Sequence, residues 1–411
     1  MNLPLFIARR IALNEQRSFS RFIIRLSIAA TVISVMVMIV TLSFVNGFQE
    51  TVSNKVFSFW GHVRIQYRQP QKANIAEEVP IRKEDTLARQ VAAMPQVRSI
   101  QPFATKYAIL KTPIDMEGLL LKGFENSKGF SNLSNFLTQG RWITYNDSSY
   151  AREITLSEYT AKQLQLKVAD KVLIYFVRPD GTLRPDKLTV VGIYKTGIEE
   201  YDKTFALADL KLIRRLNNWK EDEIGGYEIF LKDYGKMDDV SNAIYDQPKF
   251  PQFWETKTIR EIYPNIFDWL SVIANNGHVL ITIMIIIAAI NFITCLIILV
   301  LERVRMIGTL KALGATDWTI QKIFLQHSLL ITVSGIVLGI GIALLLLWLQ
   351  QETGFVHLDE DAYYMQTAIV KIDWRQVAWV AAGTLLISFL VLLIPSFVVK
   401  KIQPVKAMRF N

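Results

Sequence analysis

A chain of 411 residues leaves room for two or three domains; half of it is apolar (51%) and a fifth charged (20%), so the composition averages a membrane part and a soluble part. The net charge is +9, but the basic residues gather beside the hydrophobic stretches, which points to lipid head groups and away from nucleic acid. The one cysteine, Cys295, excludes an intrachain disulfide.

The first 21 residues read as a cytoplasmic amphipathic segment. Arg17, Arg21 and Arg25 recur every four residues and share one face of a helix, where they can lie along anionic head groups. Four predicted spans follow, at 22–46, 277–301, 328–349 and 376–399, each more than twenty residues long. At about 1.5 Å per residue, such a helix crosses a hydrocarbon core of roughly 30 Å. The first is too long in its apolar core for a signal peptide, and no small-x-small cleavage site follows it. Basic residues flank the first span at Arg9, Arg10, Arg17, Arg21 and Arg25. They recur after the second at Arg303, Arg305, Lys311 and Lys322, and after the fourth at Lys400, Lys401, Lys406 and Arg409. The loop 350–375 is acidic instead. Both termini and the loop 302–327 are therefore expected in the cytoplasm, with 47–276 and 350–375 outside.

The outer region of about 230 residues can hold one or two cores. Strand-like runs at Val63–Tyr67, Tyr107–Lys111, Gly118–Gly123, Val172–Val177 and Lys187–Tyr194 alternate with helix-like runs. Helices are predicted over Asp85–Met94, ended by Pro95, and over Ser157–Leu164 with a serine cap. Leu207–Leu216, Tyr227–Leu231 and Met237–Tyr245 continue the mixture. The expected fold is an α-helical membrane protein with four transmembrane helices plus a large α+β extracytoplasmic domain. Between two predicted strands lies Arg178-Pro179-Asp180-Gly181-Thr182-Leu183-Arg184-Pro185. Pro-Asp-Gly suits a tight turn, two prolines limit its freedom, and the arginines are placed at the tip of a projecting hairpin.

Catalytic signatures are missing. There is no phosphate-cradling Gly-x4-Gly-Lys-Ser/Thr loop, no His-Glu-x-x-His, no Gly-x-Ser-x-Gly and no Cys/His cluster of zinc type. The acid pairs Glu199/Glu200 and Asp238/Asp239 read as solvated faces. In the third span, Gly335 and Gly339 have the small-x3-small spacing that lets helix backbones approach, with Gly341 close by. Asn291 in the second span is expected to bond across a helix interface. Between spans two and three, Glu302–Thr316 forms an amphipathic helix. Met306, Ile307, Leu310 and Leu313 are expected on one side, and Arg305, Gly308, Thr309 and Ala312 on the other. The small-residue side suits the close approach of another protein. Gly314 suits a helix end, and Thr316 or Asp317 can cap the next helix.

The run Glu302-Arg303-x-Arg305-x-Ile307-Gly308-x-Leu310-Lys311-Ala312-Leu313-Gly314-Ala315 resembles the signature of the MacB/FtsX/LolC–LolE class of ABC transporter permeases. Met306 stands where that pattern usually has an acid. Gln403-Pro404-Val405-Lys406-Ala407-Met408-Arg409 resembles the usual ending of the class. Phe6-Ile7-Ala8-Arg9-Arg10 and Asn46-Gly47-Phe48-Gln49-Glu50 resemble the lipoprotein-releasing LolC/LolE branch.

The resemblance implies an outer domain of MacB-like Porter and Sabre type. It also implies that the short helix is a coupling helix docking on a cytosolic ATPase. The implied partners are a LolD-like ATPase dimer, a second permease subunit that is the same chain or a homologue, a lipoprotein substrate, a LolA-like periplasmic carrier, and membrane lipids. No cofactor is expected on this chain; ATP and Mg belong to the ATPase. The hairpin at Arg178–Pro185 corresponds to a hook for the carrier. Phe44, Asn46, Phe48, Phe267, Trp269 and Leu270 are expected to contact cargo. The resemblance also leaves two alternatives, a MacB-like mechanotransmission exporter and an FtsX-like signalling permease that controls a cell-wall hydrolase.

Overall fold

The computed structural model describes residues 19–69, 77–146, 149–177 and 182–400. The chain opens with a long helix, α1 (Phe19–Trp60), followed by β1 (Val63–Tyr67), β2 (Ile81–Arg82), α2 (Asp85–Ala92), β3 (Val97–Lys111) and β4 (Met116–Phe124). A 3₁₀ segment (Ser127–Phe136) leads into β5 (Leu137–Gly140), β6 (Glu153–Ser157), α3 (Glu158–Gln163), β7 (Lys171–Val177) and β8 (Leu183–Tyr194). Then come α4 (Glu199–Thr204), β9 (Phe205–Asp209), α5 (Leu210–Asn217), β10 (Glu223–Ile224) and β11 (Gly226–Leu231). The remainder is α6 (Met237–Tyr245), β12 (Trp254–Thr258), α7 (Ile259–Ile262), α8 (Pro264–Glu302), α9 (Val304–Ala312), α10 (Asp317–Thr353), α11 (Glu360–Tyr363) and α12 (Trp374–Lys400). The Arg17 position and the family-like ending 403–409 lie outside the described residues.

The chain divides into two units. A helical unit takes residues up to Glu50, Leu270–His357 and everything from Thr367. A mixed unit takes Thr51–Trp269 and Leu358–Gln366. Among the described residues, four helices are long and apolar enough to cross a membrane, as predicted. Two of them overrun the expected limits. α1 has 42 residues and α8 has 39, so at about 1.5 Å per residue they reach roughly 60 Å, about twice the hydrocarbon thickness. Both helices thus continue past the predicted span limits at 46 and 277. Polar residues after Asn46 end the hydropathy signal, but Val52, Val56, Phe57, Phe59 and Trp60 continue a buried helical face. At the other end Pro264, whose missing N–H costs nothing in a first turn, opens α8 thirteen residues before the apolar run begins.

Within the helical unit the small residues do what their spacing suggests. A β-carbon on Gly335 would stand 2.7 Å from the Thr31 side chain, and one on Gly339 would stand 2.9 Å from Val35. α10 therefore packs against α1 at backbone-limited distance. Asn291 donates to the Ser27 carbonyl (3.2 Å) and hydroxyl (3.3 Å), tying α8 to α1 as expected.

In the mixed unit, ten strands form one sheet in the order β12-β1-β11-β3-β4-β9-β6-β8-β5, with β7 joining both β3 and β8. That extra pairing closes β3, β4, β9, β6, β8 and β7 into a ring, which removes the edges of those strands. The fold is α+β, as expected. Ser157 caps α3 by accepting the Thr160 N–H. β3 runs much longer than the predicted Tyr107–Lys111. Its Pro102, a residue that usually marks a strand edge, sits in the ladder opposite Tyr227.

Candidate functional site

The corner between α8 and α10 is built from three short-range devices. α9 ends in a left-handed glycine, Gly314 (φ +92°), whose N–H donates to the Lys311 carbonyl while the Ala315 N–H reaches back to Leu310. This is the paired closure that helix ends adopt around a C′ glycine. Thr316 then caps α10 by accepting the Thr319 N–H, as predicted. Lys311 Nζ spans the joint to Asp317 at 2.9 Å.

The face that α9 buries differs from the expected one. Ile307 is fully buried in a cluster with Val300, Ile320 and Phe324, and Met306, Leu310 and Ala315 pack against it. Gly308 is buried too, whereas Leu313 is 79% exposed. The helix is thus rotated relative to the predicted orientation. At 100° per residue, Ile307, Gly308 and Lys311 centre the inner arc. Arg305, Thr309, Ala312 and Leu313 form the outer arc. The expected small-residue docking side is corrected on this point: Gly308 serves packing within the chain, and Leu313 faces outward. Met306, placed where the family pattern has an acid, meets an apolar cluster. Glu302 closes α8, and Arg303 links the two helices.

The hairpin β7–β8 is present, with Val177 opposite Leu183. Arg178, Pro179, Asp180 and Gly181 lie outside the described residues. Arg184, predicted at the tip, is not there, and neither is Pro185. They belong to β8, opposite Phe176 and Tyr175, because the ladder continues to Leu183 and shortens the turn. Leu173, Leu183, Met116, Ile114 and Tyr107 are large exposed apolar side chains on or beside these strands.

The expected cargo contacts fall in both units. Phe44, Asn46, Phe48 and Leu270 belong to the helical unit, and Phe267 and Trp269 to the mixed one. Phe48 and Leu270, expected to contact cargo, are buried by the chain itself. Phe44 packs on the cluster of Val35, Ile39 and Leu347, and Leu270 offers its carbonyl to Gln49. Asn46 Nδ2 donates to Gln376 Oε1. A β-carbon on the neighbouring Gly47 would stand 2.2 Å from the Ile369 carbonyl oxygen, so this glycine admits the backbone that precedes α12. Phe267 lies 5.9 Å from Phe57, and Trp269 meets Tyr364 edge-on at 5.4 Å.

One cluster had no counterpart in the sequence reading. Beneath Phe59 and Trp60, Lys122 and Glu228 pair at 2.6 Å with both side chains fully buried. Lys122 also donates to the Phe59 carbonyl near the end of α1 and stands 4.1 Å from the Trp60 ring centre. Gln101 donates to the other Glu228 oxygen at 3.2 Å. Arg64, opposite Glu228 in the β1–β11 ladder, pairs with Glu78 at 3.0 Å. Burial pushes the Lys122 pKa down to about 8 and raises that of Glu78. His62 stacks on Phe57 at 4.2 Å and accepts the Leu231 N–H through Nδ1, and burial lowers its pKa to about 4. A lysine placed at a helix C-terminus complements the carbonyl end of that helix.

Comparison with known proteins agrees with this layout. The MacB-like periplasmic core domain family matches residues 26–245, more than half of the chain, and the FtsX-like permease C-terminal family matches 278–404. The lipoprotein-releasing system transmembrane protein LolE of Haemophilus influenzae is 24% identical, covering 99% of each chain. The LolC protein of Neisseria meningitidis is 23% identical over 98% of each. The crystal structure of the periplasmic region of MacB from Actinobacillus actinomycetemcomitans aligns with 50% of this chain and 91% of its own, at 13% identity and a TM-score of 0.34. The chain belongs to the MacB-like periplasmic core domain family, carries an FtsX-like permease C-terminal part, and is a membrane permease of LolC/LolE type.

Proposed function

We propose that this chain extracts acylated lipoproteins from the bacterial inner membrane and passes them to a periplasmic carrier, driven by a partner ATPase dimer. The observation that carries the reading is end-to-end similarity to lipoprotein-releasing transmembrane proteins together with a closed, outward-facing corner at α9. Both termini and α9 lie in the cytoplasm, a placement that the lysine and arginine distribution supports. ATP and Mg bind the partner. Closure of the two ATPases presses on Arg305, Thr309, Ala312 and Leu313, and the capped joint passes the displacement to α10. A second permease, a copy or a homologue, completes the assembly. The exposed apolar residues on and beside β7–β8 support a carrier-docking role for that hairpin. Burying an acyl chain is worth about 0.8 kcal/mol per methylene, so a long chain leaves the bilayer only when work is supplied.

Leu313→Asp tests the reading in a complex reconstituted with its ATPase. The side chain is exposed, so folding is expected to survive. An apolar contact residue converted to a charge at an interface costs about 2 kcal/mol or more, roughly thirtyfold in ATPase affinity. Lipoprotein release should fall with it. Unchanged ATPase binding and release would reject the docking surface. Depletion of the protein should leave outer-membrane lipoproteins in the inner membrane, and normal sorting would reject the cargo.

A further inference from the structure

Three tryptophans sit at one end of the helical unit with their rings uncovered. Trp348 lies near the end of α10 and is 55% exposed. Trp374 opens α12 at 67%, and Trp379 follows five residues later at 77%. Indole is apolar over most of its surface and carries one N–H donor, so it is costly both in open water and deep in hydrocarbon. Three such rings at the ends of neighbouring helices require an amphipathic partner.

Their height is set by three independent observations. Leu347, next to Trp348, and Val377, two residues before Trp379, belong to the same buried cluster. Gln350 Nε2 donates to the Ala368 carbonyl at 2.9 Å, which fixes the register between the end of α10 and the approach to α12. The rings therefore share one level to within about two helical turns. Immediately outward, the groups are polar: Gln350, Gln351, Arg375 and the Glu50–Lys371 pair at 2.5 Å. Immediately inward, each helix carries a long uncharged stretch. From Trp348 back the first charged residue is Lys322, and from Trp379 forward it is Lys400. The stretches are about 25 and 20 residues, or roughly 30–38 Å, enough to cross the hydrocarbon core.

We propose that Trp348, Trp374 and Trp379, with Arg375 beside them, form a lipid-binding collar that seats the helical unit in the glycerol–phosphate layer of one leaflet. Trp348 and Trp379 mark the edge of the hydrocarbon. Trp374 stands about one and a half turns further out, among the phosphates, where Arg375 carries the complementary charge. The partner is phospholipid and not a second protein, because the uncharged length beneath each ring is enough to cross the bilayer and the polar groups change over at the same level on both helices.

The full-length chain, reconstituted in phosphatidylcholine vesicles, tests this through its own fluorescence. One vesicle population carries bromine near the carbonyl end of the acyl chains and the other near the methyl end. Of nine tryptophans in the chain, these three should supply the quenchable signal on this side. Shallow bromine should quench more strongly than deep bromine. The combined Trp348→Phe, Trp374→Phe, Trp379→Phe variant should lose about half or more of the quenchable emission. Stronger quenching by deep bromine would overturn the assignment of depth. Quenching in the variant equal to that of the native chain would show the rings covered by protein and overturn the lipid assignment. Phenylalanine keeps the apolar ring; if the triple variant fails to fold by circular dichroism, the three single variants give the same comparison. Neither readout uses the ATPase or a lipoprotein, so it stands apart from the transport reading.

Discussion

Replacing Lys122 by methionine should destabilise the mixed unit by about 3–5 kcal/mol, because it leaves the carboxylate of Glu228 buried without its ammonium. The pair is separated by 2.6 Å and both side chains are fully buried. At an effective dielectric constant of about 20, its attraction is roughly 6 kcal/mol. Desolvating each ion costs several kcal/mol, so the intact pair contributes little net stability while its halves are expensive alone. In the single variant Glu228 keeps only Gln101, and the Phe59 carbonyl loses a donor worth about 1 kcal/mol. Lys122→Met combined with Glu228→Leu should recover most of the loss. For a unit of this size, about 2–4 °C of melting temperature follows each kcal/mol, so the single variant should melt roughly 10 °C low. The assay is thermal unfolding of the solubilised full chain, followed by near-ultraviolet circular dichroism. There is also a pH signature. The Lys122 pKa is about 8 when folded and 10.5 when free, so the unfolded chain holds more protons between those values. Stability should therefore rise with pH across that window in the native chain and not through this group in the variant. Two single variants each costing under about 1 kcal/mol, or a double variant costing their sum, would refute the reasoning.

Other tests are simpler. His62 stays neutral in the fold down to a pKa of about 4 but protonates near 6.5 when unfolded, so stability should fall as pH drops from 6.5 to 4, by about 3 kcal/mol. Acid denaturation of His62→Asn, which keeps an acceptor for Leu231, should show a smaller decline over the same range. Gly339→Leu should separate α10 from α1, since even a β-carbon would meet Val35 at 2.9 Å. Loss of several kcal/mol in detergent stability is expected, and an unchanged melting curve would contradict the packing. Gly314→Ala has open space around it but a φ of +92°, so it should cost about 1 kcal/mol, read as a drop in the same melting temperature.

Features written in short-range chemistry were legible from the amino-acid order. The four spans, the Ser157 and Thr316 caps, the Gly314 helix end and the Gly335–Gly339 approach each depend on residues a few positions apart. Features that depend on distant partners were not. Lys122 and Glu228 are 106 residues apart, and each reads locally as a polar residue in a strand. The first helix was cut short because Gln49, Glu50, Ser53, Asn54 and Lys55 lower hydropathy without breaking the helix. The orientation of α9 was misjudged because Leu313 looked like core. Its neighbours on the inner arc are instead supplied by Val300, Ile320 and Phe324, from helices on either side. Arg184 looked like a turn residue because it precedes a proline, yet pairing with Phe176 holds it in the strand.

The closed joint between α9 and α10 has a mechanical meaning. A glycine turn with both backbone donors engaged, a threonine cap and a lysine–aspartate strap leave no slack there. On the coupling proposed above, force arriving at Leu313 would pass to α10 as a whole rather than be lost as bending at this joint. That helix carries Gly335 and Gly339 against Thr31 and Val35, where there is no clearance to slip. On the same proposal α1 would follow, and a push on that one turn would become the concerted motion of two helices.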